Sequence, residues 1–451
     1  MVTRRKKKGR RVKTKKISFY KTPPKLLTIN GTHLLLLPLS ASNSVKFECR
    51  IFGGGIMEND KNAGIAHLLE HVFMSAYKHC KNNDCEGYLD EYGIKSNAIT
   101  HSTFTSYWLE GLPRFSDVML KYITSIIFSP KITIESIKRE KGAIRQELSS
   151  LLNDPDWQLS NNVNKILYKS KGLKNNENFK LQLKLLDRDW EKDLYKYIHD
   201  TVSKRCVLFT ISGKFDRRTV INHFKQLANS YKNQTCAIEK LKLPSQCFTY
   251  KKKVVFVKNR EAGNTNIVIC FPVNIKRGDE YGIYLKVTSS ILTGGLNSIM
   301  LKRLRDELHL IYSINMTSFT TYCGTLVVIS TSTGDKNALR VLNEIFNIIQ
   351  YYKKNNVPDR LLENYKLKYE LNYNQISMTN PSVVSNFYTK QYFGQMNNRH
   401  KKIWTLQELR KKIKKLSPNI IKSVIKKTLN TSTCVVGYIG KKKIKFTTKD
   451  Y

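Results

Sequence analysis

The chain has no apolar run near the roughly 18 residues that a membrane-spanning helix needs, so nothing in it reads as a transmembrane segment. Acid is scarce: 35 Asp and Glu stand against 78 Lys and Arg in 451 residues, a formal net charge of +43. That balance excludes an acidic solvating chain and implies a surface that holds polyanions by releasing their counterions. No RNA- or DNA-reading motif accompanies the charge, which argues against base-specific recognition. The cysteines are too few and too scattered for a disulfide framework. Nine of them, an odd number, imply free thiols in a reducing intracellular compartment: cytoplasm, nucleus or virion, with a mitochondrial matrix fitting less well. His79, Cys80 and Cys85 fall short of a full ligand set for a metal of their own. The basic N-terminus lacks the apolar stretch of a secretory signal. Residues 1–16 carry ten Lys and Arg and read as a disordered basic tail, suited to non-specific nucleic acid or another polyanion, or to nuclear import.

Histidine is equally sparse, with 9 residues, yet two of them fall in His67-Leu68-Leu69-Glu70-His71. On a helix, side chains four apart stand on one face, and Glu70 shares that face. Two imidazoles with an adjacent carboxylate are what a hydrolytic Zn2+ site needs: the histidines hold the metal, one position stays open for water, and the Glu takes a proton from that water. The apolar surroundings (Ile65, Ala66, Leu68, Leu69, Val72, Phe73) would half-bury the pair, and buried polar groups need partners.

A catalytic zinc keeps three protein ligands. Glu140 and Glu147 are seven apart in a helical stretch, so both carboxylates lie on one face. One can bind the metal while the other orients a ligating histidine. Spacing alone does not say which, nor does it exclude a solvated, salt-bridged face.

Gly64 to His71, followed 76 positions later by Glu147 with Glu140 before it, resembles the M16 zinc peptidases (the pitrilysin, insulinase and mitochondrial processing peptidase family), which carry this inverted zinc motif. The resemblance implies one Zn2+ per chain held by His67, His71 and Glu147, Glu70 as general base, and Glu140 as orienter. Ser96-Asn97-Ala98-Ile99-Thr100 and Thr105-Ser106-Tyr107 match a strand that follows the metal helix in that family, which places Asn97 and Ala98 on the edge that binds substrate. Thr103 stands where relatives often have Glu, and Ser75-Ala76-Tyr77-Lys78 departs from their Lys-Gly-Thr.

Farther on, Gly294-Gly295-Leu296-Asn297-Ser298 and Leu304-Arg305…Leu310-Ile311-Tyr312 resemble a second family block. It implies that Arg305 holds substrate backbone and that Tyr312 supports the oxyanion. His309 stands where relatives have Gly, so the local turn should differ. The implied fold is α+β: two M16-type domains, each an antiparallel sheet with helices packed on one face. We expect a tail at 1–16, a zinc-binding domain at 17–231, a linker at 232–250 and a second domain at 251–451. Strands are expected at 28–39, 44–52, 97–111, 206–212, 254–257, 265–271 and 324–332, with helices between them, and the order recurs faintly in both halves.

The function implied is a zinc-dependent endopeptidase acting on extended peptides or unfolded protein segments. A maturation protease of a large DNA virus would join zinc chemistry to a surface that holds nucleic acid. The other class is a catalytically idle M16-like scaffold or polyanion-binding subunit; the intact His67, Glu70, His71 and Glu147 favour the enzyme. Large family members have four such domains, so a two-domain chain implies a homodimer, or a heterodimer with a related M16 subunit, with Arg305 and Tyr312 acting in trans.

Overall fold

The computed structural model describes residues 22–29, 31–80, 84–169, 173–174, 178–203, 207–227, 247–275, 280–320, 324–376, 379–396 and 402–446. The basic tail at 1–16 and most of the linker expected at 232–250 lie outside the described residues.

The first half builds a six-stranded sheet in the order β1-β2-β6-β3-β5-β4. Its strands are β1 (Leu26–Ile29), β2 (Thr32–Pro38), β3 (Val45–Phe52), β4 (Lys95–Thr100), β5 (Phe104–Gly111) and β6 (Val207–Gly213). Helices α1 (Ile65–Met74), α2 (Cys85–Asp90), α3 (Ser116–Phe128), α4 (Ile134–Asn153), α5 (Pro155–Leu167), α6 (Phe179–Leu186), α7 (Glu191–Ile198) and α8 (Arg217–Leu227) follow the chain between and after these strands. The stretch expected as one strand at 97–111 is a hairpin: the chain turns at 101–103 and β5 returns along β4.

The second half repeats the plan. Strands β7 (Lys253–Lys258), β8 (Thr265–Val273), β9 (Ile314–Thr320), β10 (Thr325–Thr333) and β11 (Val435–Gly440) form a five-stranded sheet in the order β7-β11-β8-β10-β9. Helices α9 (Tyr281–Thr293), α10 (Ala338–Lys354), α11 (Asp359–Ile376), α12 (Pro381–Met396), α13 (Leu406–Lys414) and α14 (Pro418–Thr428) complete it. Each sheet is antiparallel except for one parallel pair, β2 with β6 and β11 with β7. The pair arises in each half because a late strand returns beside an early one.

Both faces of each sheet are covered, because the halves exchange a helix. The main core of the first half lies between its sheet and helices α1, α3, α4 and α8. On the opposite face lies α12, from the second half. In return, Leu159, Val163 and Leu167 of α5 pack on the second sheet. Gly437 is needed there, since a Cβ would sit 2.4 Å from the Val163 side chain.

Strand β3 shows how sequence serves this double burial. Phe47, Cys49 and Ile51 point into the main core. On the other face, Lys46, Glu48 and Arg50 are buried under α12. Glu48 accepts from Arg50 Nε at 2.6 Å, from Ser106 Oγ at 3.2 Å and from Ser385 Oγ of α12 at 2.7 Å. Burial pushes the Glu48 carboxyl up, but Arg50 and Lys46 outweigh it and hold it below the usual range.

One expectation needs correction. Cys80 is bonded to Cys85, because a turn from Tyr77 to Cys80 brings it back to the start of α2 with the Cα atoms 5.0 Å apart. Cys247 is also disulfide-bonded, while Cys49, Cys270 and Cys434 are free and buried. The expectation of free thiols therefore holds at Cys49, Cys270 and Cys434 and fails at Cys80, Cys85 and Cys247. His309 takes the left-handed conformation at φ 53°, which histidine tolerates better than most non-glycine residues.

The exchanged helix gives a test. Ser385→Ala removes a hydrogen bond to a buried charge and should destabilise the chain by about 1.5–3 kcal/mol. Urea unfolding measures this, and a midpoint equal to that of the unaltered chain would show that α12 docks without it.

Candidate metal centre

Helix α1 divides cleanly. Ile65, Ala66, Leu68, Leu69, Val72 and Phe73 are buried, while His67, Glu70, His71 and Met74 line a groove of about 890 Å³. Positions i, i+3, i+4 and i+7 make one helical stripe, so the chemistry-bearing face follows from the same period that builds the core.

Helix α4 crosses this stripe. It starts with a capping box in which Thr133 and Ser136 satisfy each other's backbone N–H groups. Ile137, Ile144 and Leu148 are its buried anchors. Glu140 and Glu147 stand between them and meet the two histidines. The Nε2 atoms of His67 and His71 lie 3.5 and 3.4 Å from Glu147 Oε2. His71 Nδ1, the opposite ring nitrogen, lies 3.4 Å from Glu140 Oε2. His67, His71 and Glu147 each offer one ligand atom, all within 4.8 Å of one another. In a tetrahedral site with bonds near 2.0–2.1 Å, ligand atoms stand roughly 3.4 Å apart. The two distances from Glu147 Oε2 to the histidine Nε2 atoms match that separation, so the set fits a small ion with a nitrogen and oxygen shell.

The electrostatics agree. Burial alone would push His71 down, but its hydrogen bonds with Glu140 and Glu147, with the nearby Glu70 charge, raise it to about 9. Hydrogen bonds from His67 and His71 hold the Glu147 carboxyl far below the usual carboxylate range. Burial raises Glu140, but its bonds with His71, Arg139 and Ser75 more than offset this and keep it low. Arg139 supports Glu140 from the solvent side through Nε at 3.1 Å and Nη2 at 3.0 Å.

Strand β4 forms one wall of the groove and is the last strand of its sheet. Asn97 and Ala98 line the groove, and Asn97 accepts the Ala98 N–H through its own side chain at 2.7 Å. Arg305 and Tyr312 are not among the groove-lining residues. They pair with each other, the guanidinium 5.2 Å from the ring centroid, and Tyr312 is 82% exposed. Sequence reasoning missed Phe179 and Gln182 of α6, which also line the groove. They lie more than 100 residues from the histidines, and no local spacing ties them to the site.

Comparison with known proteins gives the following. Residues 40–177 match the family described as Insulinase (Peptidase family M16), and residues 191–369 match the Peptidase M16 inactive domain. Together the two matches cover well over half of the chain. The chain is 21% identical over 345 residues to an uncharacterized zinc protease of Bacillus subtilis, covering 75% of this chain and 80% of that protein. It is 30% identical over 101 residues to the mitochondrial-processing peptidase subunit beta of Mus musculus, covering 22% of this chain and 21% of that protein. In fold it is similar to a protease from Helicobacter pylori, with a TM-score of 0.79 at 16% identity, covering 92% of this chain and 99% of that one.

The His71 environment yields a pH prediction. A metal at this site must displace the proton that His71 carries up to about pH 9. Apparent metal affinity should therefore fall by about tenfold per pH unit as pH drops below that value, and level off above it. A metal titration between pH 6 and pH 9 that gave a flat profile would contradict the assigned role of His71.

Proposed function

Because the chain belongs to the M16 peptidase family, we propose that it is a zinc-dependent endopeptidase of extended peptides or flexible protein segments. One observation carries the reading: the Nε2 atoms of His67 and His71 each lie 3.4–3.5 Å from one Glu147 carboxylate oxygen, in a groove that also holds Glu70 and the edge strand β4.

The residues divide the work. His67, His71 and Glu147 would hold the ion through the atoms that already face one another. Glu140 accepts the Nδ1 proton of His71, which fixes the ring and leaves Nε2 free to ligate. When bound, zinc supplies the Lewis acidity that polarises a peptide carbonyl and makes water nucleophilic near neutral pH. Glu70 stands on the same helical face with no metal-holding role. Its carboxylate takes a proton from the attacking water and passes it to the leaving amine. Substrate lies along β4 as an added strand, held by main-chain hydrogen bonds beside Asn97 and Ala98. Such pairing requires an extended segment, which selects flexible peptides over folded domains.

Arg305 and Tyr312 enter from a second copy or a related M16 subunit. Tyr312 is largely exposed and lies outside the groove of its own chain, which supports supply in trans. The mouse relative is by its name a subunit of a larger assembly. A catalytically idle scaffold has less support, because it has no use for Glu70 in a groove with a complete ligand set.

Two variants test the chemistry. Glu70→Gln fills the same space but cannot accept a proton. Zinc content should stay unchanged while peptide hydrolysis falls by at least about 10²-fold. Near-normal turnover would place the base elsewhere. For the assembly, a Glu70→Gln chain is mixed with a Tyr312→Phe chain. Trans supply gives mixed dimers one intact site and recovered activity; verified mixed dimers with none would favour supply in cis.

A further inference from the structure

The helix that carries both histidines begins without the residues that usually start one. Its N-cap is Gly64, at φ 93°, which has no side chain to offer, and its first turn contains no acidic residue. The first N–H groups of a helix have no partner within it. Here two backbone N–H groups at the start of α1 are met from outside. Glu58 Oε2 accepts from Gly64 N at 2.9 Å, and Oε1 accepts from Ala66 N at 3.0 Å. Glu58 is only 7% exposed and borders the same groove.

The preceding loop delivers this carboxylate. Gly54 has φ 76°, and a Cβ there would sit 1.9 Å from the His101 carbonyl oxygen. That close approach lets Gly53 N donate to Thr103 O at 3.2 Å and Ile56 N donate to Ser102 O at 2.8 Å. The loop is thus laid against the turn between β4 and β5. From the other side, Thr100 Oγ1 at the end of β4 donates to Ala66 O at 3.3 Å. Ala66 is therefore held at both its N–H and its carbonyl, and the next residue is His67. A carboxylate that grips two N–H groups fixes both the rotation and the axial position of the helix start, and its charge suits that end of the helix dipole.

We propose that Glu58 is a positioning residue of the site. It locks the first turn of α1 so that the His67 and His71 rings stay in register with Glu147 and with the β4 edge. The proposal rests on the zinc-peptidase reading above. Glu58 touches neither metal nor substrate and acts through the backbone of Ala66.

The test uses the full chain with Co2+ as a visible probe. Glu58→Gln keeps the volume, but its NH2 cannot accept, so one of the two bonds is lost. Co2+ affinity should fall by about 10- to 100-fold, as supporting-residue losses do. The visible spectrum of the bound ion should also change, while circular dichroism shows a folded chain. A folded Glu58→Gln chain with unaltered Co2+ affinity and spectrum would overturn the proposal and leave Glu58 a helix cap only. If the unaltered chain itself bound no Co2+, the metal reading would fall, and this proposal with it. Should Glu58→Gln not fold, Glu58→Asp decides by the same readouts. It keeps the charge but is one methylene shorter and reaches a single N–H.

Discussion

The packing of α1 across α4 is the contact on which the rest depends. Each helix presents a stripe that is apolar except where it carries chemistry. Ile65, Leu68, Leu69, Val72 and Phe73 anchor one helix; Ile137, Ile144 and Leu148 anchor the other. Between these anchors two imidazoles face two carboxylates at 3.4–3.5 Å. Partly buried charges placed this way persist only if each finds a partner. Here they meet each other, Glu147 facing Nε2 of both histidines and Glu140 facing Nδ1 of His71. The same geometry brings one ligand atom from each of His67, His71 and Glu147 together.

That arrangement is acidic in a chain whose net charge is +43. Acidic residues are few, so their placement carries information. Of the 35, six (Glu58, Glu70, Asp84, Glu86, Glu140 and Glu147) line one groove, where Arg139 is already paired with Glu140. Glu48 sits on the opposite side of the sheet, where it joins β3 to α12 through Ser385. Some carboxylates thus serve the site and another serves the exchange of helices that ties the two halves together.

Much of the site was legible from sequence because the helical period turns spacing into geometry. His67 and His71 at i and i+4 had to share a face, and so did Glu140 and Glu147 at i and i+7. Spacing could not separate the roles of the two glutamates. In the structure Glu147 faces Nε2 of both histidines, whereas Glu140 faces Nδ1 of His71. Glu58 was missed because its bonds go to backbone six and eight residues on, which no periodic pattern encodes. The exchange of α5 and α12 was also illegible: an amphipathic helix specifies an apolar face but not which sheet covers it. At Cys80 and Cys85, inference from residue type alone failed, because local backbone geometry decided the outcome.

An anomalous difference map at the zinc absorption edge, from crystals of the purified chain, tests the central claim most directly. The account predicts one peak per chain, within about 2.0–2.2 Å of His67 Nε2, His71 Nε2 and a Glu147 carboxylate oxygen, with Glu70 and Glu140 outside bonding distance. A peak bound by Glu140 or by a cysteine, or zinc-replete crystals with no peak between α1 and α4, would contradict it.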